Sequence, residues 1–129
     1  MLEVFIDAAT AGSPQVSACG VFIRGEGHLI KWSEYLGEMD NHTAELTALV
    51  KGLQLAKELT QGMVSIKSDS QVTVDAFERE FTKNPRFKPI LEDALALSKS
   101  FEYCFIKWIP DTQNRAADDL ARKELRAHK

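Results

Sequence analysis

Two tight connections near the start of this chain limit its topology more than any other feature. The apolar segment LEVFID (residues 2–7) is followed by GSPQ, then SACGVFIR (17–24), then GEG, then HLIKWSEYLG (28–37). Gly punctuates both connections and Pro the first, and neither is long enough for a crossover. The spacing predicts three strands in an antiparallel meander.

After residue 40 the period changes. Leu46, Leu49, Val50, Leu53 and Ala56 recur at helical spacing within NHTAELTALVKGLQLAKEL, which predicts a helix over 41–59 with Asn41 as its N-cap. A strand is expected over 62–69, a short helix over 70–79, a helix from Pro89 to Ser100, a strand over 101–109 and a last helix from about 112 to 127. Strands separated by helices pair in parallel, so the whole order predicts an α/β domain. Its sheet is mixed and five-stranded, with helices on both faces. At 129 residues, the chain suits a single domain, 1–129, that buries a core without disulfides or a structural metal.

Composition excludes several classes. The formal net charge is −3, not the strongly basic balance of a nonspecific nucleic-acid binder. Cys19 and Cys104 belong to no CxxC or Cys/His cluster and read as reduced thiols. No apolar run is long enough for a membrane span, and MLEVFID lacks the features of a signal peptide. A cytoplasmic protein with no membrane association and no obligate protein partner is expected.

Four acids stand out. Asp7 and Asp69 end predicted strands, the end of an open α/β sheet at which ligands bind. Glu45 borders the apolar stripe of its helix. In the last helix Ala117, Leu120, Ala121 and Leu125 form the apolar face, with Asp118 on its border and Asp119 pointing away. Alone, Asp7 and Asp69 read as helix-cap or turn acids, and Glu45 and Asp118 as solvated surface. Together they suggest a cluster that repels itself unless cations hold it. Oxygen ligands suit magnesium, with manganese as a substitute. Two such ions activate a water and stabilise the leaving oxygen in phosphodiester hydrolysis.

These residues lie in segments that resemble the type 1 ribonuclease H family, in its short bacterial, reverse-transcriptase-like form. The similarity is carried by FIDAATAGSP, NHTAEL, IKSDSQ and KWIPDTQNRAADDLA, and runs over essentially the whole chain. It implies a ribonuclease H-like fold and cleavage of the RNA strand of RNA–DNA hybrids with two magnesium ions. It implies Asp7, Glu45, Asp69 and Asp118 as the catalytic, metal-binding acids. It also implies substrate-contacting positions at Ala8, Asn41, His42, Ser70, Gln71 and Asn114, where short polar groups can read 2′-hydroxyls in the minor groove. Asn41, Ser70 and Asn114 have an alternative reading as helix caps.

The chain departs from the family's pattern. Ala8 and His42 stand where the family usually has Gly and Asn. Asp111 puts an acid in the loop before Asn114, and no His lies in that loop. KNPRFK, with Lys83, Arg86 and Lys88, is the nearest basic run. These departures motivate a second reading: a hybrid- or RNA-binding protein with weak or no catalysis. A 3′-exonuclease of related fold normally carries Asp-x-Glu on strand one, and Asp7-Ala8-Ala9 does not match it.

Overall fold

The computed structural model describes residues 1–128. Its order is β1 (Leu2–Ala11), β2 (Val16–Gly25), β3 (His28–Glu38), α1 (Asn41–Lys57), β4 (Met63–Ser68), α2 (Gln71–Arg79), α3 (Phe87–Ser98), β5 (Tyr103–Trp108) and α4 (Arg115–Ala127). A single 3-10 turn, Asp111–Gln113, precedes α4. The five strands form one sheet in the order β3-β2-β1-β4-β5. β1, β2 and β3 pair antiparallel, while β4 runs parallel to both β1 and β5. The mixed α/β sheet expected from the turn spacing is therefore present.

Alternation along the strands sorts the core. Leu2, Val4 and Ile6 of β1, Val21 and Ile23 of β2, and Val64 and Ile66 of β4 point to one face and meet Leu46, Leu49 and Leu53 of α1. Each fully buried side chain of this size contributes about 1.5–3 kcal/mol of transfer free energy. The opposite face holds a smaller cluster, Phe5, Ile109 and Ala117 with Phe22, beneath α4. α4 packs across β1, β2 and β3.

Two glycines bring helices unusually close to the sheet. A Cβ on Gly20 of β2 would lie 2.3 Å from the Ala117 carbonyl oxygen and 2.8 Å from the Ala121 nitrogen. On Gly52 of α1 it would lie 2.9 Å from Ile6 Cγ2. Only glycine permits these approaches, which set α4 and α1 against the strands that carry the site.

Several local expectations differ from the structure. Asp7 does not end its strand. Parallel pairing with β4 stops at Ile6–Ser68, but antiparallel pairing with β2 continues to Ala11–Val16. Residues 8–11 are small, yet the partner strand holds them extended, so pairing outweighs propensity. The N-cap of α1 is Asp40 rather than Asn41, with Asp40 Oδ2 accepting from the Thr43 N–H at 3.3 Å. α3 starts two residues early because Asn84 organises its entry. Asn84 Oδ1 accepts from the Arg86 N–H, and the Asn84 carbonyl accepts from Phe87 and Lys88. Pro89 then falls in the first turn, where no intrahelical N–H is needed. Among the described residues, no helix is long and apolar enough to cross a membrane.

Candidate active site

The fork where β1 leaves β4 is the centre of the site. Asp7 comes from β1 just beyond the fork, Asp69 follows the last residue of β4, and Glu45 sits in the second turn of α1. One carboxylate oxygen from each lies within 4.8 Å of the others. Asp7 is buried; Glu45 and Asp69 are half-buried. Three separate elements thus deliver three acids to one point.

The acids are poorly compensated by the protein. Burial raises the Asp7 carboxyl to about 8, and the charges of Asp69, Asp118 and Glu45 add to the rise. The Ala8 N–H, donating to Asp7 Oδ1 at 2.9 Å, opposes it. Burial likewise raises Glu45, with Asp69 adding to the effect; hydrogen bonds from Ser70 and Asn41 pull the other way. Asp69 is raised first by burial and then by Asp111 and Asp118, against a hydrogen bond from Asn114. No Lys or Arg forms an ion pair with these three acids among the described residues.

Asp118 stands slightly apart. It is half-buried on α4, and both its oxygens accept from Arg122 Nε, at 2.9 and 3.0 Å. Its charge still reaches Asp7 and Asp69. Asp119, the next residue, is exposed. α4 brings Asp118 this near because Gly20, the register partner of Asp7, lets the helix settle on the sheet.

The residues around the acids take distinct positions. Asn41 Nδ2 donates to Glu45 Oε1 at 3.2 Å, while Asn41 Oδ1 accepts from Thr10 Oγ1 at 3.1 Å. Ser70 is buried and caps α2, its Oγ accepting from the Thr73 N–H at 3.2 Å. Asn114 is 1% exposed. Its Nδ2 donates to the Ile6 carbonyl at 2.8 Å and to Asp69 Oδ2 at 3.4 Å, so its side chain ties β1 to the site and does not cap α4. Its Oδ1 is buried without a partner.

Ala8 pairs with Cys19 in the regular β1–β2 ladder, so the backbone there does not require glycine. It lines a cleft of about 440 Å³ with Thr10, Asn41, Asp118, Arg122 and Arg126. His42 is exposed and lies away from that cleft, in a groove with Val72, Phe81 and Phe87. Gln71 is exposed and donates to Asp75 Oδ1 at 2.9 Å. His42 and Gln71 therefore flank the acids without touching them.

Sequence reasoning missed Thr10, Arg122, Trp108 and the two close-approach glycines. Trp108 Nε1 donates to the Asp69 carbonyl at 3.1 Å and steadies the turn after β4. An isolated glycine within a strand pattern, as in SACGVFIR, is the signal for Gly20. The i,i+4 spacing of Asp118 and Arg122 is the signal for that pair.

The donor set fits divalent cations. Every available ligand atom is a carboxylate oxygen, the choice of magnesium and manganese. Among the described residues, Arg122 on Asp118 is the cation nearest to this cluster of raised acids.

The family described as reverse transcriptase-like matches residues 5–124. The protein EbsB of Enterococcus faecalis is 36% identical over 127 residues, covering 97% of this chain and 94% of that protein. The ribonuclease H of Actinobacillus pleuropneumoniae is 26% identical over 137 residues, covering 95% and 88%. Among solved structures, ribonuclease H1 of the halophilic archaeon Halobacterium salinarum superposes with a TM-score of 0.88 at 25% identity, over 98% of each chain. On the matching sequence, the shared fold and the acid cluster at the β1–β4 fork, the chain belongs to the reverse-transcriptase-like family of ribonuclease H-like proteins.

Proposed function

We propose that this protein is a metal-dependent endonuclease that hydrolyses the RNA strand of RNA–DNA hybrids, with residues 1–129 as one catalytic domain. The observation that carries the reading is the meeting of Asp7, Glu45 and Asp69 within 4.8 Å, with no Lys or Arg paired to them among the described residues. Asp7, Glu45, Asp69 and Asp118 would hold two magnesium ions, or manganese in their place. When bound, the ions supply charge neutralisation at the scissile phosphate and lower the pKa of the attacking water.

The chain's own residues do the rest. Asp7 is fixed by the β1 ladder and by the Ala8 N–H, so its carboxylate is preorganised. Asn41 orients Glu45, and Asn114 orients Asp69 while securing the β1 backbone. Asn41 and Gln71, with Ala8 and His42 to either side, would form the rim that meets the hybrid, while buried Ser70 and Asn114 hold α2 and β1 behind it. Short polar groups there suit 2′-hydroxyls, which distinguish the RNA strand from DNA. Two unpaired thiols, Cys19 and Cys104, accord with a reducing, cytoplasmic setting.

One observation favours a second reading, a hybrid-binding protein with weak or no catalysis. Both oxygens of Asp118 are engaged by Arg122, and Asp111 adds negative charge near Asp69. The deciding experiment incubates purified protein with labelled hybrid, duplex RNA and single strands, in magnesium and separately in manganese. Hybrid-selective cleavage that disappears in Asp7→Asn supports the enzyme. Hybrid binding with no cleavage in either ion supports the alternative.

A further inference from the structure

The face of the sheet that carries α4 is only partly covered. α4 lies over β1, β2 and β3, while the same face of β4 and β5 presents Tyr103, Phe105 and Lys107 along the edge strand. Tyr103 is 64% exposed and Phe105 is 42% exposed. Beside them in register stand Met63, Ser65 and Lys67 of β4. Large aromatic rings exposed on this face are not explained by the core, which lies on the other face through Cys104 and Ile106.

Cations lie on the same face. Arg24 and Lys67 each sit over Phe5, 5.1 Å from its centroid. Glu3 pairs with both and is the acid set among them. Lys107 is exposed and has no carboxylate within ion-pair distance among the described residues. A chain with net charge −3 therefore gathers Arg24, Lys67 and Lys107 on one face, with Phe5 between Arg24 and Lys67 and the exposed rings beside them on β5.

We propose that this face binds single-stranded nucleic acid, the phosphates on Lys67, Lys107 and Arg24 and the bases on Phe105 and Tyr103. Unpaired bases stack on exposed aromatic rings regardless of sequence, and a basic groove tracks the backbone. Successive outward residues on β5 are about 6.6–6.8 Å apart, so Tyr103 and Phe105 offer separate platforms to neighbouring bases. Ser65, opposite Phe105, is 3% exposed, so the contact surface here is made by its larger neighbours. A second copy of this chain is disfavoured as the occupant, because a two-fold contact would press one cation-rich patch against another. The lysines lie at the C-terminal ends of β4 and β5, near Asp69, so a strand on this face would run toward the acid site.

The test is fluorescence anisotropy of labelled oligonucleotides of about ten nucleotides, one DNA and one RNA, with the whole chain in chelator. Because no cation and no cleavage are involved, the outcome is independent of the nuclease reading. Binding is expected, with a log–log salt slope of about −2 from three phosphate contacts. Phe105→Ser should weaken it by about fivefold or more, and Phe105→Trp should retain it. Lys107→Ala should lower the slope by about 0.7. Unchanged affinity in the Tyr103→Ser/Phe105→Ser double variant would overturn the proposal, as would failure of the parent to bind either oligonucleotide. Sedimentation showing a dimer that the same double variant dissociates would assign the face to self-association and equally overturn it.

Discussion

Gly20 lies directly opposite Asp7 in the β1–β2 ladder, and its missing side chain is what lets α4 rest on the sheet. The closest acid in the sheet and the helix bearing the fourth acid are thereby coupled through one hydrogen-sized side chain. A Cβ at this position would meet backbone atoms of Ala117 and Ala121, which have no flexible end to move. Gly20→Ala should therefore displace α4. We expect a destabilisation of about 1–3 kcal/mol, from overpacking. Activity should fall further than stability accounts for, because Asp118 moves with the helix. Calorimetry and initial cleavage rates on the folded variant measure the two effects.

The adjacent acids of α4 should separate cleanly. Asp118 is half-buried with its charge felt at Asp7 and Asp69, whereas Asp119 is exposed. Asp118→Asn should lower hybrid cleavage by about 100-fold or more, equivalent to about 2.7 kcal/mol of transition-state stabilisation. Asp119→Asn should remain within about twofold of the parent, a difference well under 1 kcal/mol. Equal losses in both folded variants would remove Asp118 from the site.

Asp7 makes the ion-free protein sensitive to pH. Its carboxyl lies at about 8 in the fold against 3.8 for an ordinary aspartate, so the folded chain binds a proton that the unfolded chain does not. Stability then falls as pH rises between those values, and the penalty is complete above about 8. In chelator, the melting temperature should be higher at pH 6 than at pH 8. Asp7→Asn should flatten that dependence and raise the melting temperature at pH 8 while abolishing cleavage. Magnesium should stabilise the parent more at pH 8 than at pH 6, since at the lower pH it must displace the proton. Thermal scans at both pH values, with and without magnesium, provide the check.

Asn114 joins two parts of the site through one amide. Removing it in Asn114→Ala leaves the Ile6 carbonyl without its side-chain partner and Asp69 without its donor. A cost of about 1–3 kcal/mol is expected for the buried polar group left behind. Asn114→Asp should be worse in chelator, because it adds a buried acid next to Asp69. Denaturant midpoints of the two variants, with the slope unchanged, measure this.

Asp111 tests the departure from the family pattern. It is exposed, yet its charge raises Asp69, so it lies close enough to repel a phosphate. Asp111→Asn should tighten hybrid binding and lower KM, with little change in kcat, because the cluster of acids is untouched. The gain should shrink with salt, as expected of an exposed charge. Cleavage rates over a range of hybrid and salt concentrations show whether it does.

Much of this arrangement was legible from local chemistry. Turn residues at 12–15 and 25–27 compel a meander because so short a connection leaves no alternative. The helical period from Leu46 to Ala56 sets the face of α1, and with it the border position of Glu45. The same calculation puts Asp118 and Asp119 on different sides of α4. These features depend on residues within a few positions of one another, so the sequence alone determines them. Other features depend on residues far apart in the chain. Asp7 reads as the end of a strand until β2 is seen to carry β1 on to Ala11. Asn41 and Asn114 read as helix caps, but Asn41 turns to Glu45 and Thr10, and Asn114 reaches back to Ile6 and Asp69. The depth of α4 depends on Gly20, ninety-odd residues earlier, meeting Ala117. Tertiary structure decides such matters because a buried polar group takes whichever partner packing supplies, and packing brings together residues that the sequence keeps apart.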